Sequence, residues 1–179
     1  GTDEVTTYDV NPEGKLNKLA TYNCSPGAGA RHLVFHNYYK IAYLICELNS
    51  TIEVLIYDGV GAFEKMQVIS TLPEGFNDFN GTAAIRLSED GKYLYASNRG
   101  HDSIVVYTIL ADGSLELLEF VPTNGKTPRD FILSPDQEFL IAVHQDSDNA
   151  TVFKRNPETG RLAELSNDFH VPEAVCVTF

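Results

Sequence analysis

The chain has 179 residues, 43% hydrophobic and 21% charged, a composition that excludes a disordered segment and fits one sizeable folded domain. Its net charge of −12 speaks against nucleic acid or an anionic membrane surface as partner, because both want a basic face. No apolar run approaches the ~20 residues of a membrane-spanning helix, so no membrane partner is expected either.

The first elements are "EVTTYDV" and "LNKLATY", which read as two strands of an incomplete unit over residues 1–22. The sequence opens on Gly1 rather than Met, close to a strand, so a fragment or a processed form is expected. Residues 23–80 follow with four strands, "HLVFH", "IAYLICE", "TIEVLIY" and "FEKMQVIST". Residues 81–127 repeat the pattern as "AIRLS", "KYLYASN", "SIVVYTI" and "LELLEFVPT", with a hairpin signal at Asp90-Gly91. Residues 128–172 give "FILSP", "FLIAVHQ", "NATVFKR" and "LAELSNDFH". Residues 173–179, "EAVCVTF", fit a lone first strand of a further unit. No segment carries helical periodicity.

Four short strands per unit, repeated every 40–50 residues or so, are the signature of β-propeller blades. The predicted fold is therefore all-β: a partial propeller with a half blade, three full blades and one extra strand. Three and a half blades cannot close a ring, and large bare apolar faces invite association. The expected partner is a missing N-terminal half of the propeller or, failing that, a homo-oligomer. Cys24, Cys46 and Cys176 show no metal-type spacing and read as reduced thiols of a cytoplasmic protein.

In each blade the start of strand one lies beside the end of strand two. The repeat places Arg31-His32, Ala83-Ala84 and Arg129-Asp130 at the first position, and Cys46-Glu47, Asn98-Arg99 and His144-Gln145 at the second. Blade packing asks for apolar groups there, yet Arg31, Arg99 and Arg129 are three of the six arginines in the chain. Gathered at one channel mouth around Glu47, they suit a small anionic ligand held by forked guanidinium contacts. The structural alternative is that these arginines pair with Glu47, Asp130, Asp102 or Asp146 and stitch blades together. His36 falls on the opposite rim and reads as structural, His101 and Asp102 as loop caps. Asp146, Asp148 and Asn149 read as turn residues, because the glycine and distal glutamate of a calcium loop are missing.

The stretches "ARHLVFH", "CELNSTIEVLIYD", "LSEDGKYLYASNRGHDSI", "GKTPRDFILSPD" and "PEAVCVTF" resemble the seven-bladed propeller lactonases. That family includes propeller-type 6-phosphogluconolactonases and fungal 3-carboxy-cis,cis-muconate lactonizing enzymes. The resemblance runs through essentially the whole chain and is to the C-terminal half of the family. It departs at the hairpin turns, where "HNYYK" and "SPDQE" replace the usual forms. The resemblance implies a channel site at Arg31, Glu47 and Arg99, with His32 and Arg129 on the same rim. A further family histidine would fall before Gly1.

Lactone hydrolysis needs a base for water, a cation for the oxyanion and an anchor for the anionic tail. Glu47 is the expected base, with His32 second, and Arg99 the oxyanion partner. Arg31 and Arg129 would clamp a phosphate or carboxylate, and Asn98 completes the expected substrate-binding set. The expected activity is a lactone hydrolase or muconate-type cycloisomerase acting on a small anionic lactone. No zinc motif, phosphate-binding glycine loop or serine elbow is present, and neither metal nor cofactor is expected. The rival reading is a non-catalytic propeller that binds a protein or peptide at its channel mouth.

Overall fold

The structure is a computed structural model that describes residues 2–179, and among these every regular element is a strand. A two-stranded sheet of β1 (Glu4–Val10) and β2 (Leu16–Asn23) comes first. Next is a four-stranded sheet of β3 (Ala30–Phe35), β4 (Ile41–Cys46), β5 (Thr51–Tyr57) and β6 (Phe63–Ser70). The second is built from β7 (Gly81–Leu87), β8 (Tyr93–Arg99), β9 (Ser103–Ile109) and β10 (Leu115–Pro122). The third holds β11 (Pro128–Leu133), β12 (Phe139–His144), β13 (Asn149–Arg155) and β14 (Leu162–His170). Strands pair antiparallel in chain order within each sheet, and β7 lies between β3 and β11. These are propeller blades with their first strands side by side, as the repeat predicts.

Burial explains why the sequence lacks clean alternation in the middle strands. Every residue of β4, and all of β8 before Arg99, is buried. A sheet with one wet face would alternate, but a blade packs both faces against its neighbours. Ile41, Tyr43, Ile45, Ile52 and Val54 of one blade thus share a core with Ile85, Leu94, Val105 and Tyr107 of the next. The outer strands β6, β10 and β14 face solvent more and carry the charges.

A repeated contact sets the distance between blades. The Tyr43 hydroxyl donates to the Gly113 carbonyl at 3.0 Å, and its repeat equivalent Tyr95 donates to Gly160 at 2.8 Å. Two residues earlier, Ile41 and Tyr93 occupy the space beside those glycines. A Cβ on Gly113 would lie 2.7 Å from Ile41, and one on Gly160 would lie 2.2 Å from Tyr93. Both glycines have positive φ, so only glycine fits the turn and the contact together.

The two unusual hairpin turns keep the common geometry by other means. In "SEDGK", Asp90 accepts from Lys92 N–H, and Gly91 takes φ +70°. In "SPDQE", Asp136 accepts from Glu138 N–H, and Gln137 adopts φ +61° in the glycine's place. In "HNYYK" the buried His36 ring accepts from Tyr38 and Tyr39 N–H at 3.1 Å each. Its other nitrogen then carries the proton and meets the Gly91 carbonyl of the next blade at 3.0 Å.

Residues 173–179, expected as a lone strand, form no strand. A strand is defined by its ladder, and no described strand pairs with this segment. It is tied to the blades by Glu173 N–H donating to Asp148 Oδ1 at 2.9 Å and Val177 N–H donating to Asp130 Oδ2 at 3.1 Å.

Candidate functional site

The start of strand one carries a β-bulge in all three blades. Pairing steps from Ala30–Cys46 to His32–Ile45, so Arg31 is the extra residue. It steps from Pro128–His144 to Asp130–Val143, so Arg129 is the extra residue there. In the blade between them the register slips across Ala83 and Ala84, where Ala84 N–H donates to the Ser97 hydroxyl instead. A bulge bends its strand and re-aims one side chain, and here it turns two arginines out of the ladder toward the rim.

The ends of the second strands supply the other half of the site. Strand alternation sends Cys46, Asn98 and His144 into the blades, all fully buried. It leaves Glu47, Arg99 and Gln145 at the rim. Arg31 Nε lies 3.3 Å from one Glu47 oxygen, and Arg99 Nη2 binds the other. Arg31 Nη1 also donates to the Ala83 carbonyl at 2.8 Å, bulge to bulge across two blades. Arg99 donates to the Gly81 and Thr82 carbonyls, each at 3.2 Å. A Cβ on Gly81 would sit 3.0 Å from Arg99 Nη2, so the bare glycine leaves room for the guanidinium. Arg129 donates to Gln145 Oε1 at 3.3 Å and has no carboxylate partner among the described residues.

Three guanidinium groups thus gather around Glu47, with Asp130 near Arg31 and Asp146 in the hollow that Arg99 and Arg129 line. Burial alone would raise the Glu47 carboxyl, but the Arg99 hydrogen bond and the charges of Arg99, Arg31 and Arg129 outweigh it and hold it below its usual value. Glu47 is therefore an anion at neutral pH. Partial burial, then the Arg31 and Arg86 charges, lower the His32 imidazole below its ordinary value, although the residue as a whole is exposed. Geometry agrees, since the cationic Arg31 Nη1 lies 2.8 Å from His32 Nε2 and 3.2 Å from Nδ1, so a second positive charge on the ring is disfavoured.

The structure brings Arg31, His32, Glu47, Arg99 and Arg129 to one rim and corrects one expectation. Asn98 is fully buried, and its amide donates to Thr71 O at 2.7 Å and accepts from Asn80 at 3.1 Å. It holds the blade together and offers nothing to a ligand. Alternation along β8 already separates it from Arg99.

Arg86 is a residue the repeat comparison passes over. It lies near the C-terminal end of β7, pairs with Asp130 of the next blade at 2.9 Å, and adds positive charge near His32. Its signal in the sequence is a cation inside an otherwise apolar first strand. Among the described residues no group of three or more His, Cys, Asp or Glu is placed to hold a metal ion, and no helix is long and apolar enough to cross a membrane.

A family model described as lactonase, 7-bladed beta-propeller matches residues 1–179. A 6-phosphogluconolactonase of Bacillus subtilis is 39% identical over 181 residues, which cover 100% of this chain and 52% of the relative. A crystal structure of a Lactobacillus plantarum protein superposes with a TM-score of 0.96 at 42% identity, covering 98% of this chain and 52% of that one. The periplasmic gluconolactonase of Pseudomonas aeruginosa superposes with a TM-score of 0.89 at 32% identity, over 96% of this chain and 49% of its own. The chain spans about half the length of the curated relatives it matches.

Proposed function

This chain belongs to the seven-bladed β-propeller lactonases, and from that premise we propose that its Arg31–Glu47–Arg99 rim, with Arg129 and His32, binds and opens an acidic sugar lactone such as 6-phosphogluconolactone. The observation that carries the reading is the excess of guanidinium over carboxylate at one spot of a chain whose net charge is −12. Blade packing needs no such excess. An incoming phosphate or carboxylate finds Arg129 without an acidic partner, and finds Arg31 and Arg99 already held in place. Preorganised donors cost little to recruit, which favours forked anion contacts.

In this reading the ligand tail lies on Arg129 and Arg31. The carbonyl oxygen of the lactone lies on Arg99, whose charge stabilises the oxyanion as water attacks. Glu47 takes the proton from that water, with His32 as the second candidate. A carboxylate held by two cations is a weak base. An anionic substrate that draws Arg31 toward itself raises the basicity of Glu47 at the moment a base is required. The proton then passes to the ring oxygen as the ester C–O bond breaks, and the product is the open-chain acid. Three free thiols fit a reducing compartment, and the proposed location is the cytoplasm.

The test is an assay of the whole protein on 6-phosphogluconolactone and on uncharged gluconolactone, corrected for spontaneous ring opening. Faster opening of the phosphorylated lactone, inhibited by added phosphate, is the expected result. A carboxylated muconolactone run beside them decides between hydrolase and cycloisomerase chemistry at the same cations. No acceleration of any of the three removes the lactonase reading.

A further inference from the structure

Phe79 is 86% exposed, the most exposed large apolar side chain among the described residues. It does not sit on a loose loop. Asn80 beside it is buried; its amide donates to Ser50 Oγ at 2.9 Å and Asn98 Oδ1 at 3.1 Å and accepts from His101 N–H at 3.1 Å. The Phe79 carbonyl presses on Gly100 so closely that a Cβ there would lie 2.1 Å from the oxygen, and Gly100 has φ +121°. The start of the same loop is fixed too, since Thr71 N–H donates to Ser50 O at 2.9 Å. A mobile loop would let the ring fold onto apolar neighbours. This backbone is clamped so that the ring stays in solvent.

Its position gives that exposure a use. Phe79 is a wall common to two hollows. One, of about 320 Å³, has Glu47 and Gly81 in its lining. The other, of about 410 Å³, has Arg99, Arg129 and Gln145, with Asp146 at its edge bound to the Thr127 hydroxyl. The aromatic ring stands between the carboxylate side and the cation side of the candidate site. Small-ligand sites combine a few convergent polar groups with an aromatic or apolar wall, and the polar groups alone leave the carbon face of a sugar ring uncovered. The glycine of "SNRG" thereby serves the site as well as the arginine, because it seats the loop that carries Phe79.

We propose that Phe79 is a specificity-determining residue: its ring lies against the C–H face of a cyclic sugar acid while Arg129 holds the anionic tail and Arg99 meets the lactone carbonyl. This rests on the anionic-lactone reading above and adds to it a preference for ring-bearing over ringless anions. The probes are glucose 6-phosphate, a stable ring with a phosphate tail, and inorganic phosphate, titrated by calorimetry into the whole protein. Wild type binds glucose 6-phosphate more tightly than phosphate. Phe79→Ala weakens glucose 6-phosphate about three- to tenfold, the scale of one aromatic contact, and leaves phosphate unchanged. Phe79→Tyr keeps the wild-type affinity, and both variants keep the wild-type melting temperature because the side chain is exposed. In turnover of the phosphorylated lactone, Phe79→Ala raises KM and leaves kcat within about twofold. If Phe79→Ala alters both probes equally, or neither, or if wild type binds the two alike, Phe79 has no such role while the anion site stands. If wild type binds neither probe, the anion site itself is refuted and this proposal with it.

Discussion

Gly100 and Arg99 carry opposite kinds of information at the tip of β8. Arg99 reaches Glu47 across the blade boundary and the Gly81 and Thr82 carbonyls of its own blade, so Arg99→Ala lowers turnover of an acidic lactone about 100-fold, as loss of one oxyanion partner does. Unchanged turnover in folded protein removes Arg99 from the chemistry. Gly100→Ala forces a Cβ into the Phe79 carbonyl at positive φ, and its cost is about 1–3 kcal/mol, read as a lower urea midpoint. Glu47 has a lowered folded-state pKa. Its stabilising contribution is therefore present above the unfolded carboxylate value and lost as pH falls through the folded one. With 36% of the side chain exposed, solvent screening limits Glu47→Gln to a loss of about 1 kcal/mol or less at neutral pH, shrinking as pH falls below the ordinary carboxylate range. The same lowered value sets the acid limb of kcat/KM at or below the ordinary carboxylate range if Glu47 is the base. A limb just under the ordinary imidazole value transfers that role to His32. At this scale the repeat comparison made the rim residues legible, because equivalent positions switch between apolar and charged. It did not distinguish Asn98 from Arg99, since register rather than composition decides which of two neighbours faces the rim. Nor could it find the bulges at Arg31 and Arg129, which appear only once pairing is known.

Blades are joined by a few repeated contacts, and these set the stability of the elements. The fully buried Glu53 carboxylate accepts from the Tyr22 hydroxyl at 2.5 Å and from Ser25 N–H at 3.0 Å, with Lys65 at 3.5 Å. It ties β1–β2 to the sheet that follows. Burial would raise this carboxyl, but those hydrogen bonds lower it. Glu53→Ala strands the Tyr22 and Ser25 donors and costs about 3 kcal/mol, measured by urea unfolding. A loss of under about 0.5 kcal/mol would mean the half blade is held by apolar contact alone. Gly113→Ala costs a comparable amount, because it needs both a strained φ and a displaced Ile41. The strands were legible from β-branched runs between turn residues. The "HNYYK" and "SPDQE" turns looked like departures because their glycine is missing. Physically a buried imidazole and a left-handed Gln137 supply the same hydrogen bonds.

At the scale of the molecule, blade count was legible from the spacing of the repeat, but the state of 173–179 was not, since a ladder needs a partner that local sequence cannot specify. Between the last sheet and the 171–177 segment lies an apolar hollow of about 400 Å³, lined by Ile141, Val143, Val152 and Phe169 on one side and Ala174 and Val177 on the other. Ile141 stands where Tyr43 and Tyr95 of the earlier blades reach a following glycine. We propose that another blade covers this face, from a longer chain or from a second copy. The 179-residue chain alone then elutes in gel filtration above its 19.8 kDa, and a well-behaved monomer would contradict that. The central claim is that side chains from separate blades act on one anion, and a double-mutant cycle on Arg31 and Arg99, read by glucose 6-phosphate affinity in the whole protein, tests it most directly. Each single alanine variant should weaken binding, and the double variant should depart from additivity by about 1 kcal/mol or more. Wild-type affinity in both single variants, or strict additivity in the double, would contradict a shared site.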